Sequence, residues 1–362
     1  MRQTVEPDRT LLVDGPACVQ LISGKTEVFG NQVKQAAKIL VREGKRLPFF
    51  VLEKAVFDVS VGSNSTMQDV KGNSIPESWS KFAASILDLQ ARPVAVLVLG
   101  GADSGKSSLS AFLVNRLVLS KCKVGVLDGD IGQSDIGPSG TVGFAVASKP
   151  IGELYDLRLS NACFIGVTSP VSAANKTIEG LAAMKAEASQ AKADYTVINT
   201  DGWVAGDAAI RYKLAMIKEL CPDVIVGVQA TDELAGLVHD IDKPTVTIVE
   251  SSPSLNARTA EKRKALREMT YARYLRRAKV QCYVMSQLSI EPKNAVTRKP
   301  EPARGLLVGL YGSRNKFVGI GVLREINQSR KEFKVQTAVR VKPSKISVGK
   351  IVLDRKLREV QD

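Results

Sequence analysis

Histidine is almost missing from this chain: His239 is the single one in 362 residues. Chemistry that needs several imidazoles, such as a multi-histidine metal site or relay, is therefore excluded. His239 sits in an ordinary helical pattern and reads as structural. Cysteine is sparse and scattered at Cys18, Cys122, Cys163, Cys221 and Cys282, with no CxxC pair. That excludes a zinc ribbon or a disulfide framework and fits reduced thiols in a cytoplasmic protein. No apolar run reaches 18 residues, so no transmembrane helix and no membrane partner are expected. The first residues, Met1-Arg-Gln-Thr-Val-Glu-Pro-Asp8, lack the apolar core of a signal peptide. What remains is ordinary globular material, 44% hydrophobic, and long enough for two or three domains.

Charge is unevenly placed. Residues 1–255 hold 25 Lys+Arg against 28 Asp+Glu, whereas residues 256–362 hold 26 against 9. A near-neutral front and a basic final third suggest a polyanionic partner, with nucleic acid favoured over an acidic protein.

Residues 1–73 read as an all-β module, a sandwich. Strands are expected at 10–13, 17–22, 26–29, 49–52 and 55–59, between Gly-, Asn- and Pro-containing turns. Residues 74–89 read as an amphipathic helix, with Pro76 and Glu77 in its first turn and Phe82, Ile86 and Leu89 on one face. Apolar runs at 94–99, 123–128, 195–199, 224–229 and 245–249 then alternate with helical segments. This predicts an α/β fold built on a parallel sheet covered on both faces.

The first of these runs ends in Gly100-Gly101-Ala102-Asp103-Ser104-Gly105-Lys106-Ser107, and a helical pattern follows from Ser108. Strand, GxxxxGK[ST] and helix in that order form a P-loop. Its glycines turn backbone N–H groups around phosphate oxygens. Lys106 reaches the β- and γ-phosphates, and the Ser107 hydroxyl ligates Mg²⁺. Strand 123–128 runs into Asp128-Gly129-Asp130-Ile131-Gly132-Gln133. Two acids at a spacing of two point the same way from extended chain. One can help to hold the metal while the other orients or deprotonates an attacking group. Two more loops follow apolar runs: Val167-Thr168-Ser169-Pro170 and Asn199-Thr200-Asp201-Gly202-Trp203. Trp203 at such a loop reads either as a surface on which a nucleobase stacks or as a half-buried packing residue. Between 256 and 280 lie 9 basic and 2 acidic residues, with Arg263 and Arg267 on one helical face. Arginine over a transferring phosphoryl group neutralises charge as it spreads; the plainer reading is a solvated basic helix. A Pro- and charge-rich linker is expected at 284–303, followed by a compact β domain at 304–362 with strands at 305–310, 317–323, 333–341 and 350–353.

These pieces resemble the polynucleotide 5′-hydroxyl kinases. That family includes a subunit of the pre-mRNA 3′-end cleavage machinery, a kinase of ribosomal-RNA processing and single-chain archaeal members. The resemblance rests on residues 100–107, Asp128-Gly-Asp130-Ile-Gly-Gln133, Thr168-Ser-Pro170, Thr200-Asp-Gly-Trp203 and Arg263-Lys-Ala-Leu-Arg267. It implies a P-loop kinase domain at 74–283 between two β domains. The implied activity moves the γ-phosphate of ATP to a 5′-hydroxyl of RNA or DNA, with RNA-processing proteins as further partners. By the same resemblance, residues 100–108, Ser108 included, bind ATP, and Ser107, Asp128 and Asp130 serve Mg²⁺. Asp130 orients or deprotonates the hydroxyl, with Gln133 beside it. Thr168, Pro170, Thr200 and Trp203 line the substrate side. Arg263 and Arg267 belong to a lid, although Arg258, Lys262, Arg273 and Arg277 offer rival basic pairs. Two alternatives stand beside the kinase: an ATP-bound scaffold with little activity, and a nucleotide switch or ATPase. The switch lacks its base-reading motif, since Asn175-Lys-Thr-Ile178 has no acid.

Overall fold

The computed structural model describes residues 1–255, 257–292 and 304–360. It begins with β1 (Arg2–Val5), β2 (Arg9–Asp14), β3 (Ala17–Val28), β4 (Asn31–Gln32), β5 (Lys38–Val41), β6 (Arg46–Val61) and β7 (Met67–Lys71). These make one antiparallel sheet in the order β4-β3-β6-β2-β7, with β1 on β6 and β5 on β3. The short strands expected at 17–22 and 26–29 are one strand, as are those at 49–52 and 55–59. Ser23-Gly24 bends β3 without ending it. Register shifts fall between Leu21 and Thr26, and such bulges let a strand curl and change partners. Continuous pairing thus replaces the two separate sheets of a sandwich. Phe49 and Phe57 fill the buried face, edge to face at 5.9 Å.

The chain continues as α1 (Glu77–Leu87), β8 (Val94–Gly100), α2 (Lys106–Leu119), β9 (Val124–Asp128), β10 (Thr141–Ala147), β11 (Leu159–Phe164), α3 (Ala174–Gln190), β12 (Tyr195–Asn199), α4 (Asp207–Leu220), β13 (Val224–Gln229), α5 (Ala235–His239), β14 (Val246–Glu250) and α6 (Ala260–Tyr274). It ends as β15 (Lys279–Val284), β16 (Ser289–Glu291), β17 (Leu306–Tyr311), β18 (Phe317–Asn327), β19 (Glu332–Thr337) and β20 (Lys345–Val352). No helix among the described residues is long and apolar enough to cross a membrane.

Two compact units organise the chain. The first comprises Met1–Val126, Val146–Arg158 and Ala188–Lys262. In it β12, β8, β13 and β14 lie side by side and parallel. Every residue of β8 is buried, as a strand covered on both faces requires. Helix α1 buries Trp79, Phe82, Ala83 and Ile86, but Leu89 lies past its end and is exposed. The Trp79 indole N–H donates to the Glu250 carbonyl at 2.8 Å, and its ring packs on Phe112 of α2. The N-terminal sheet is fastened to this layer by polar clamps. Asn115 donates to the carbonyls of Phe29 and Ile151, and Arg46 grips Asp14 while reaching the Ser254 carbonyl at 3.0 Å.

The second unit comprises Leu127–Ala145, Leu159–Glu187 and Arg263–Asp362. Here β10 and β11, two strands the apolar runs do not mark, pair antiparallel. Strand β10 (Thr-Val-Gly-Phe-Ala-Val-Ala) follows a Gly/Pro/Ser-rich loop that hides its start. The C-terminal sheet runs β15-β19-β18-β17-β20-β16. Alternate residues of β17 feed two cores. Leu307 and Tyr311 join Phe164, Tyr271 and Ile320, whereas Val308 and Leu310 join Phe333 and Val335. The linker expected from 284 instead carries a 3₁₀ turn at Met285–Gln287 and then β16, because Ser289–Glu291 finds an open partner in β20. Residues 293–303 of that linker lie outside the described residues.

Candidate active site

The first unit presents a phosphate cradle. β8 ends at Gly100, and α2 starts at Lys106 behind Gly105, whose φ of 105° is a left-handed backbone that glycine alone adopts freely. A side chain at Gly105 would also lie 2.9 Å from Leu255. The resulting turn leaves the early N–H groups of α2 without helical partners, which is what an anion needs. The Ser104 hydroxyl is buried and has no partner among the described residues. Lys106 is buried at 6% exposure, and its ammonium folds back to the Gly101 carbonyl. A buried cation and an orphaned hydroxyl in a loop of this shape fit the terminal phosphates of a nucleotide. The Ser107 hydroxyl lies 3.5 Å from the Asn199 side-chain nitrogen at the end of β12. It fits the part of a Mg²⁺ ligand, since that ion takes most of its oxygens from phosphate and water.

Three residues beyond the motif hold the cradle. Asp103 accepts the Arg258 N–H at 2.9 Å and lies 3.5 Å from its guanidinium, which also reaches the Gly44 carbonyl. Glu233 caps the N–H groups of Ala230 and Thr231; burial raises its pKa, but those bonds outweigh it and lower the value. Gly202 lies so close to the loop that a Cβ there would be 2.6 Å from the Ala102 backbone. That glycine seats the segment after β12 directly on the P-loop.

The residues of this unit expected on the substrate side divide. Thr200 is fully buried and donates to the Val98 carbonyl at 2.8 Å, so its hydroxyl ties β12 to β8. Trp203 is half-buried and stacks on Tyr212 at 5.5 Å and 28°. Asp201 organises both: it accepts the Trp203 N–H and the Tyr212 hydroxyl at 2.9 Å and pairs with fully buried Lys213 at 3.0 Å.

The second unit presents the acidic turn. Asp128 is fully buried, and its Oδ2 accepts from the Ser134 hydroxyl and the N–H groups of Asp135 and Ile136. Its visible work is to shape the loop. Asp130 is half-buried, and its Oδ1 accepts the N–H groups of Gly132 (3.2 Å) and Gln133 (2.9 Å), a turn that short polar side chains favour. Gln133 donates to the carbonyls of Gly132 and Arg263, while its Oε1 is buried with no partner among the described residues. Gly132 packs under Thr168, whose carbonyl would be 2.6 Å from a Cβ, and buried Pro170 opens the next 3₁₀ turn. Helix α6 docks on the same loop through Thr270 to Ser139 and the Tyr274 hydroxyl to the Ile136 carbonyl.

The two arginines expected in a lid behave differently. The Arg263 backbone carbonyl accepts from the Gln133 amide at 3.1 Å. Arg267 makes a bidentate pair with Glu359, both bonds 2.6 Å, completed by the Tyr271 hydroxyl at 3.1 Å. Burial disfavours the Arg267 charge, but the Glu359 pair outweighs it and raises the pKa. Burial and Glu359 together push the Tyr271 phenol well above its ordinary value. No local signal marks Glu359 as a partner, because it lies 92 residues away in sequence.

Fold and cradle together define an α/β P-loop protein. Over residues 100–277 the chain matches the family model for the mRNA cleavage and polyadenylation factor CLP1 P-loop. It is similar to a polyribonucleotide 5′-hydroxyl-kinase of Methanocaldococcus jannaschii, 30% identical over 57% of this chain and 56% of that one. A polyribonucleotide 5′-hydroxyl-kinase of Thermococcus kodakarensis is 28% identical over 74% of this chain and 89% of its own. The chain thus spans little more than half of the first relative and most of the second. Among solved structures, Clp1p in its complex with Pcf11p superposes with a TM-score of 0.77 over 97% of this chain and 98% of that one. At 11% identity that likeness shows the fold.

Proposed function

We propose that this protein is an ATP-dependent polynucleotide 5′-hydroxyl-kinase acting in the cytoplasm on RNA, with DNA a second acceptor. The observation that carries the reading is the Asp130–Gln133 turn. It sets a carboxylate and an amide oxygen with no partner among the described residues in a loop separate from the nucleotide motif, an equipment for an acceptor that a nucleotide switch does not need. The names of the archaeal relatives support the same activity.

In this reading, Lys106 and the N–H groups of residues 101–105 hold the terminal phosphates. Asp130 accepts the proton of the 5′-hydroxyl while its oxygen attacks the γ-phosphorus in line; the bond to the ADP oxygen breaks as the new one forms. When bound, Mg²⁺ neutralises charge on the phosphate oxygens, with Ser107 as its protein ligand. Gln133 offers Oε1 to a sugar hydroxyl, and Thr168, Pro170 and Trp203 shape the acceptor side. Arg263, with Arg258 tied to Asp103, supplies cationic charge to the transferring group.

The test is transfer of labelled γ-phosphate to 5′-hydroxyl RNA and DNA oligomers. Lys106→Ala and Asp130→Ala should each abolish it, and an Asp130→Ala protein that still phosphorylates removes the base assignment. The Arg267–Glu359 pair favours a second reading, an ATP-bound scaffold with little activity. Tight ATP binding without transfer to any oligomer would select it.

A further inference from the structure

Within the second unit, Gly166 and Gly349 meet backbone to backbone. A Cβ on Gly349 would lie 2.7 Å from the Gly166 carbonyl oxygen, and the Lys350 N–H donates to that same oxygen at 2.8 Å. The approach lays β20 along the segment that runs into Thr168. Beside it opens a cavity of about 270 Å³, where ~15 Å³ is enough for one water. Thr168, Ser169, Ser172, Lys350 and Glu359 are among the residues that line it.

The charge of this cavity is one-sided. Glu359 spends both carboxylate oxygens on Arg267 and accepts the Tyr271 hydroxyl as well, so its negative charge is compensated. Lys350 is exposed and makes no ion pair among the described residues. Beside apolar Val167, Ile351, Val352 and Val360, the lining therefore offers three hydroxyl-bearing residues and one lysine, the residue types that contact a sugar-phosphate chain. One lining residue, Thr168, also packs against the acidic turn. Thr168 rests on Gly132, and the Gly132 N–H donates to Asp130.

We infer that this cavity receives the acceptor strand beyond its first nucleotide, with Lys350 paired to one of its phosphates. The inference rests on the kinase reading above, with the terminal hydroxyl at Asp130. It adds a stretch of the C-terminal sheet to the acceptor-binding surface.

The experiment measures binding of a 3′-labelled 5′-hydroxyl decaribonucleotide by fluorescence anisotropy between 50 and 200 mM salt. Lys350→Gln should weaken binding roughly three- to tenfold at low salt and flatten the log–log salt slope by about 0.7, the value for one single-strand phosphate contact. Lys350→Arg should restore both. Lys334→Gln removes an exposed lysine paired with Glu325 and should leave both at wild-type values. In the kinase assay, Lys350→Gln should raise KM for the oligonucleotide and not for ATP. Wild-type affinity and slope in Lys350→Gln, or an equal loss in Lys334→Gln, overturns the inference. If the wild-type protein transfers no phosphate, the kinase reading fails, and binding still decides the subsite. A weaker Lys350→Gln upholds it, and a wild type that does not bind overturns it.

Discussion

Lys213 is fully buried, and Asp201 is its only carboxylate partner among the described residues, 3.0 Å away. Replacing Asp201 with Ala leaves an ammonium in the interior with the Asp201 carbonyl at 3.1 Å and the Tyr212 ring at 5.0 Å. Removing one member of a buried pair costs about 3–5 kcal/mol. For a unit of this size that is a fall in Tm of roughly 6–20 °C. Lys213→Met should cost less, because Asp201 keeps its bonds from the Trp203 N–H and the Tyr212 hydroxyl. The double variant Asp201→Asn/Lys213→Met removes both charges and should recover most of the loss. Calorimetric unfolding of the four proteins tests this, with oligonucleotide KM as a second readout because Asp201 also fixes Trp203. An Asp201→Ala protein within about 1 kcal/mol of wild type, or a double variant no better than Asp201→Ala, would refute the reasoning.

Two further outcomes follow from the charged clusters. Arg267→Ala leaves Glu359 without its cation and should destabilise the protein by about 1.5–3 kcal/mol, whereas Arg263→Ala should lower kcat with little change in Tm; thermal melts and steady-state kinetics on both variants separate the roles. Burial raises the Asp14 pKa, but Arg46 and Thr66 outweigh it and hold the carboxyl below its usual value. The stability it contributes is therefore present above the unfolded-state pKa near 3.9 and is lost as pH falls through the lower folded value. Asp14→Asn should accordingly lower stability at neutral pH and flatten the acid limb of a pH–stability curve measured by urea unfolding.

Much of this protein is written locally. A buried parallel strand announces itself as a continuous apolar run, which is why β8, β12 and β13 lie where the pattern places them. The P-loop is equally local, because its glycines, Lys106 and Ser107 do their work within eight consecutive residues. The acidic turn after β9 belongs to the same class: Asp130 bonds to N–H groups two and three positions on.

What the chain kept hidden depends on partners far away in sequence. Short strands such as β1, β5 and β16 exist because a longer strand offers an edge, not because their own residues demand extension. Gly202 and Gly349 read as ordinary loop and strand glycines until another backbone lies within 3 Å of the side chain they lack. Thr200 and Arg267 look like site residues by motif. One spends its hydroxyl on a neighbouring strand, and the other its guanidinium on a glutamate 92 residues away in sequence. Sequence alone determined the class of chemistry, because phosphate binding needs only a short run of backbone and two side chains. Tertiary structure decided which of the matching residues remain available for it, because availability depends on burial and on hydrogen-bond partners brought in from distant segments.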